Sequence, residues 1–149
     1  MHLHPKNKQA LEKIDFTSRY EIFAEKYRKG ESFERYSNDE VFKVLEDFGY
    51  SFKYNKRENF FGYKEQIDTF SFSFNISLKF GLVEFIWGLN KGEDKWILGG
   101  PWSSTYRRMF LPDNRKALKP QFENYKELKE ILAIGFSIYE DFKTEIVKL

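Results

Sequence analysis

One run of eleven residues, "FSFSFNISLKF" at positions 70–80, constrains this chain more than any other. Phe70, Phe72, Phe74, Ile76, Leu78 and Phe80 fall on one side of an extended backbone, and Ser71, Ser73, Asn75, Ser77 and Lys79 on the other. Side chains alternate between the faces of a strand with a period of two. The run therefore predicts a strand with one buried aromatic face and one wet face. A helix with this pattern would scatter its aromatic rings around the cylinder.

The neighbouring segments repeat the theme with shorter spacing. "YSFKY" alternates at Tyr50, Phe52 and Tyr54, "NKRE" reads as a turn, and "NFFGYKEQI" reads as a second strand. After Gly81, which permits a tight hairpin, "LVEFIWGLN" returns, "KGED" turns, and "KWIL" begins a further short strand. Gaps this short favour antiparallel neighbours.

An aromatic sheet face needs a cover, and both ends of the chain supply one. Residues 6–16 read as a first helix. In "SRYE", Ser18 stands three residues before Glu21, the spacing of a capping box. Tyr20, Phe23, Ala24 and Tyr27 follow on one helical face, and Gly30 reads as the stop. A second box, "SNDE", pairs Ser37 with Glu40. The stripe Val41, Val44, Leu45 and Phe48 comes next, and Gly49 closes it. Beyond Pro120 and Asn124, a stripe of Tyr125, Leu128, Ile131, Leu132, Ile138, Tyr139, Phe142 and Ile146 predicts a long C-terminal helix. Gly135 lies on that stripe, and the reading is that it lets the helix sit close to the sheet. The expected fold is a single α+β domain over residues 1–149. An antiparallel sheet of four to six strands spans roughly residues 50–110, with N-terminal helices and the long C-terminal helix packed on it. Each Phe buried this way contributes ~1.5–3 kcal/mol, which accounts for the 17 Phe as core.

Composition narrows the chemistry. The absence of cysteine excludes disulfides, thiolate metal sites and a cysteine nucleophile. It fits a reducing compartment, and with no apolar run near the ~20 residues of a membrane span and no signal-peptide core in "MHLHPKNKQA", the expected location is cytoplasmic. The only histidines are His2 and His4, so a Ser–His–Asp system is not expected. No metal or cofactor is expected either. Gly99 and Gly100 precede a proline, so they form neither a phosphate loop nor a dinucleotide fingerprint. Glu84, between Val83 and Phe85, reads as a solvated sheet residue beside the serine-rich face.

The stretch "WILGGPWSSTYRRMF", residues 96–110, is the best candidate for a contact site. It reads in part as a corner: a strand ends at Leu98, the glycines turn, and "SSTYRRMF" resumes as a strand or short helix. It also gathers residue types enriched in binding hot spots, Trp, Tyr and Arg. Trp102, Tyr106, Arg107, Arg108, Arg115 and Lys116 are the candidate partner-binding residues, and forked arginines suit an acidic protein partner. Residues 50–120 hold 12 basic and 7 acidic residues, against a net of +2 for the whole chain. Two other readings stay open. Asp68 with Glu93 and Lys95 matches the acid and Glu-x-Lys spacing of metal-dependent nucleases. The stretch 106–119, with Tyr106 and Phe110 among its cations, suits a single-stranded nucleic acid.

In its organisation, with Phe70–Phe80, "GGPW" and the C-terminal helix, the whole chain resembles the small cytoplasmic immunity proteins of bacterial toxin systems, including contact-dependent inhibition and polymorphic toxins. The resemblance implies a non-enzymatic protein that binds one cognate toxin domain and blocks its active site or docking surface. It transfers no residue role.

Overall fold

A computed structural model describes residues 2–28, 31 and 33–149, apart from the side chain of Lys95. Five strands form one antiparallel meander in the order β1-β2-β3-β4-β5: β1 Lys53–Asn55, β2 Phe60–Ile67, β3 Phe70–Ser77, β4 Glu84–Lys91 and β5 Asp94–Pro101. The helices are α1 Pro5–Lys13, α2 Phe16–Lys26, α3 Asn38–Glu46, α4 Trp102–Arg108 and α5 Tyr125–Val147. This is the α+β architecture expected from the periodicity.

β3 is the centre of the sheet, in register with β2 through Tyr63↔Phe74 and with β4 through Phe74↔Trp87. Phe70, Phe72, Phe74 and Ile76 are buried as the alternation requires. α5 lies across this face: Tyr139 stacks on Phe74 at 4.3 Å, and Phe142 packs on Trp87 at 4.5 Å. α2 closes the other side of the same core through Phe16 on Trp87 and Phe23 on Phe85. Gly135 of α5 is buried against Phe85, and a Cβ added there would stand 2.2 Å from the ring's Cζ. The expectation that this glycine admits a close approach of helix to sheet holds.

Several boundaries differ from expectation, each for a local reason. The first helical segment is broken: α1 ends at Lys13, and Asp15, in a left-handed conformation (φ 58°), holds the position before α2 without a side-chain capping bond. Aspartate tolerates that region better than most residues. Ser18 therefore lies inside α2 and is not its cap. The second box is real, since the Ser37 hydroxyl accepts from the Glu40 amide at 3.1 Å. Gly30, expected to stop α2, lies outside the described residues. α5 opens as its sequence suggests, with the Asn124 side chain accepting from the Glu127 amide at 2.8 Å.

Two strand ends move. The alternation stops at Ser77: Leu78 remains buried, but Phe80 turns outward and is 72% exposed. β5 runs further than "KWIL", through both glycines to Pro101. β5 is an edge strand, and long open edges invite pairing with other chains. Here Asn7 Nδ2 donates to the Ile97 carbonyl at 3.2 Å, and Arg108 Nη2 donates to the Gly99 carbonyl at 2.9 Å. Side chains from α1 and α4 thus occupy two acceptors along that edge.

Candidate binding surface

The corner at Gly99–Trp102 sets the geometry. Gly100 has φ 109°, a conformation closed to other residues without strain. Pro101 ends the strand and precedes the first turn of α4, where its missing N–H costs nothing. Trp102 then points inward. It is fully buried among Phe85 at 4.6 Å, Trp87 at 4.7 Å, Phe16 at 5.6 Å and Phe74 at 5.8 Å. A partner cannot reach it, which corrects the contact role expected of Trp102. Hot-spot composition and core composition share this residue type, and burial decides between them here.

Tyr106, one turn on, is also largely buried. Its ring stacks on Tyr20 at 5.1 Å and meets Phe110 edge-on at 5.0 Å. Its hydroxyl donates to the Glu21 carboxylate. Burial and that carboxylate push its pKa up to about 12, so it remains a donor at neutral pH. Tyr106 supports the site from below and offers it no free face.

The four cations remain. Arg107 and Arg108 close α4, where the helix dipole favours positive charge. Arg107 is exposed. Arg108 is half-buried. Its Nη2 is held by Gly99, its Nε is buried without a partner, and burial lowers its pKa. Arg115, on the loop between α4 and α5, lies over the Phe110 ring at 4.2 Å, which restrains an otherwise exposed side chain. Lys116 is exposed beside it. A cleft of about 320 Å³ is lined by Ser104, Arg107, Arg108, Asp113, Asn114 and Arg115. A second, of about 250 Å³, lies against α2 and is lined by Glu21, Glu25, Tyr106, Arg115 and Lys116. Arg115 stands between the two. Among the described residues, none of these four cations forms an ion pair, while seven ion pairs form elsewhere.

The segment after Lys116 is tied down. The Tyr20 hydroxyl donates to the Leu118 carbonyl, Arg28 Nη1 donates to the Lys119 carbonyl at 2.9 Å, and the Val83 amide donates to the Pro120 carbonyl at 2.8 Å. This strap covers Glu84 and overturns the expectation that Glu84 is solvated. The carboxylate is buried at the start of β4, accepts from the Ser103 hydroxyl at 2.6 Å, and has Lys119 Nζ at 3.5 Å. Desolvation raises its pKa, against the opposing pull of Ser103 and Lys119. Strand pattern alone places Glu84 opposite Ser77, on the wet side. The cover comes from residues far away in the chain.

The other candidates are placed as follows. Asp68 lies in the β2–β3 turn and Glu93 in the β4–β5 turn, joined by the Gly92 amide donating to the Thr69 carbonyl at 3.1 Å. Both are exposed, and among the described residues no group of three His, Cys, Asp or Glu converges. The Lys95 side chain lies outside the described residues. His4 caps α1 through Nδ1, which accepts from the Lys6 amide, and stacks on Trp96 at 5.6 Å. A buried polar group missed in the sequence is Lys143, paired with Glu65 at 2.6 Å and Glu140 at 2.8 Å. The Tyr139 hydroxyl also donates to Glu65, and the network ties α5 to β2. Only its place on the buried side of α5 could have signalled it. Comparison with protein-family models, with curated proteins and with solved structures gave no match.

Proposed function

We propose that this chain is a non-enzymatic binding protein that recognises an acidic surface on a protein partner, in the manner of an immunity protein that neutralises a toxin domain. The observation that carries the reading is the set of unpaired cations, Arg107, Arg108, Arg115 and Lys116, around two adjoining clefts. Unpaired arginines held in place by a backbone carbonyl and an aromatic ring lose little freedom on meeting a carboxylate. The burial of Tyr106 favours protein over nucleic acid. Its ring is already taken by Tyr20 and Phe110, whereas single-strand binding relies on aromatic faces free for bases.

The test is direct binding to the toxin domain encoded beside this chain's gene, with protection of cells that express that domain. Arg107→Glu with Lys116→Glu changes two exposed side chains that make no hydrogen bond among the described residues. The double variant should keep the wild-type melting temperature and lose at least ~10-fold in affinity, about 1.4 kcal/mol. A wild-type chain that neither binds nor protects refutes the immunity reading. Unchanged affinity in the double variant refutes the placement of the site.

A further inference from the structure

The exposed Phe80 is not explained by the fold. The Leu82 amide donates to the Lys79 carbonyl at 3.1 Å, and the two residues between them, Phe80 (φ 61°) and Gly81 (φ 72°), are both left-handed. That is the arrangement of a type I′ turn, whose first central position favours Asn, Asp or Gly. A bulky side chain there is a backbone outlier that costs stability. The ring recovers nothing from packing. It is the most exposed of the large apolar side chains among the described residues, and it belongs to neither the core nor the half-buried shell around it.

The turn is nonetheless braced. The Phe122 amide donates to the Gly81 carbonyl at 3.0 Å, the Val83 amide donates to the Pro120 carbonyl at 2.8 Å, and Leu82 bridges to Gln121. The ring is therefore presented on a fixed support. Cations flank that support: Lys79 beside the ring in the turn, Lys119 on the strap, 41% exposed and paired with Glu84 at 3.5 Å, and Arg28, just after α2, whose Nη1 holds the Lys119 carbonyl. This corner lies at the same end of the sheet as α4, because Pro101 pairs with Ile86 near the start of β4.

We infer that Phe80 is an apolar anchor that inserts into an acid-rimmed hydrophobic pocket on a protein partner, with the cations of this end of the sheet meeting the rim. This rests on the binding role proposed above but not on a toxin being the partner. A protein pocket fits better than the other surfaces that take basic and aromatic groups. A single ring on a tight turn is no platform for successive bases, and membrane-surface binding uses an apolar face spread along a helix. A rigidly held aromatic within a basic surround is a form that interface hot spots take.

Phe80→Asn separates the two sides of the argument, because it supplies the residue the turn prefers and removes the anchor. The variant should unfold at higher urea than wild type. A library of protein fragments from the genome that encodes this chain, displayed on yeast and sorted on the wild-type protein, supplies the partner probe. Vesicles containing phosphatidylserine and a short single-stranded oligonucleotide run beside it. Enriched fragments should bind Phe80→Asn at least ~30-fold more weakly, the loss typical of a hot-spot residue. A less stable variant overturns the strain argument. No enriched fragment, fragments held equally by the variant, or Phe80-dependent binding to vesicles or oligonucleotide alone overturns the anchor. The toxin domain encoded next door separates this inference from the immunity reading. If that domain binds Phe80→Asn as tightly as wild type, the anchor falls and the immunity reading stands. If it does not bind while other fragments depend on Phe80, the reverse holds.

Discussion

Replacing Gly135 by alanine adds one methyl group at the closest approach of α5 to the sheet. The new Cβ would lie 2.2 Å from Phe85 Cζ, 2.7 Å from Cε1 and 2.8 Å from Cε2. Carbon atoms pack at about 3.5–4.0 Å, so the ring or the helix must retreat by more than ~1 Å. The ring has nowhere to go: Phe85 is stacked on Phe74 at 5.4 Å and wedged by Trp102 at 4.6 Å. Phe74 in turn lies under Tyr139 of α5. Overpacking of a filled core costs about 1–3 kcal/mol, and a clash this deep belongs at the top of that range. Helix propensity opposes it, since alanine is favoured over glycine by about 1 kcal/mol. The expected net loss is about 2 kcal/mol, or roughly 4–8 °C in Tm for a domain of this size. Urea unfolding followed by tryptophan fluorescence will measure it, because Trp87, Trp96 and Trp102 are all buried. Adding Phe85→Leu should return at least ~1 kcal/mol of the loss as coupling between the two sites. A neutral or stabilised Gly135→Ala variant would refute the argument, because propensity would then be acting with no ring against the helix.

Two further changes test the buried polar groups. For Glu84→Gln, the raised pKa of the buried carboxyl sets the direction. An acid that holds its proton more tightly in the folded state is most stabilising in acid, and that contribution declines as pH rises through the folded pKa. The stability of Glu84→Gln relative to wild type should therefore grow between about pH 4 and pH 7 in urea unfolding, and a gap that narrows over this range would contradict the desolvated site. For Asn7→Ala, the Trp96 indole N–H loses its buried acceptor and the Ile97 carbonyl on the sheet edge loses its donor. The expected cost is about 1–3 kcal/mol, with self-association visible by sedimentation once the edge is bare, and a monomer of wild-type stability would show that Asn7 guards nothing.

What the sequence revealed and what it hid divide along the range of the interactions. The buried face of β3 was legible because Phe70, Phe72, Phe74 and Ile76 state it within eight residues. The cap at Ser37 was legible for the same reason, and Asn124 was read only as a residue before α5, not as its cap. Ser18 misled because the helix already begins at Phe16, after a left-handed Asp15 that pattern does not display. Phe80 continued the alternation on paper, yet the turn that reverses the chain must spend its central residues on positive φ. Glu84 was misread because Lys119 and the strap that bury it lie some thirty-five positions downstream. Trp102 and Tyr106 were named for residue type, and type does not separate a core from an interface. Arg107, Arg115 and Lys116 are exposed, as their charge suggests, whereas the half-burial of Arg108 depends on the Gly99 carbonyl of the neighbouring edge strand.

The molecule has two surfaces that could meet a partner, and their side chains are not equally committed. On the open face of the sheet, cross-strand neighbours already fill each other's space. The Ser73 hydroxyl lies 2.4 Å from where a Cβ of Gly88 would stand, and Asn75 Oδ1 lies 2.8 Å from that of Gly62. The glycines there leave room for the polar residues opposite them, and the two shallow clefts on this face are lined largely by polar side chains such as Lys64, Ser73 and Asn75. The end of the sheet bearing α4, the strap and the β3–β4 turn is the opposite case. There Arg107, Arg108, Arg115 and Lys116 form no ion pair among the described residues, and one apolar ring, Phe80, has no core. Exposed charge is screened within about 8–10 Å at physiological salt, so in the proposed complex these cations would attract and orient an acidic partner. Lasting contact needs apolar area removed from water, and on this end Phe80 offers the most. The two features are complementary in what they supply, and this is why the basic end, rather than the broader face, is the surface proposed for recognition.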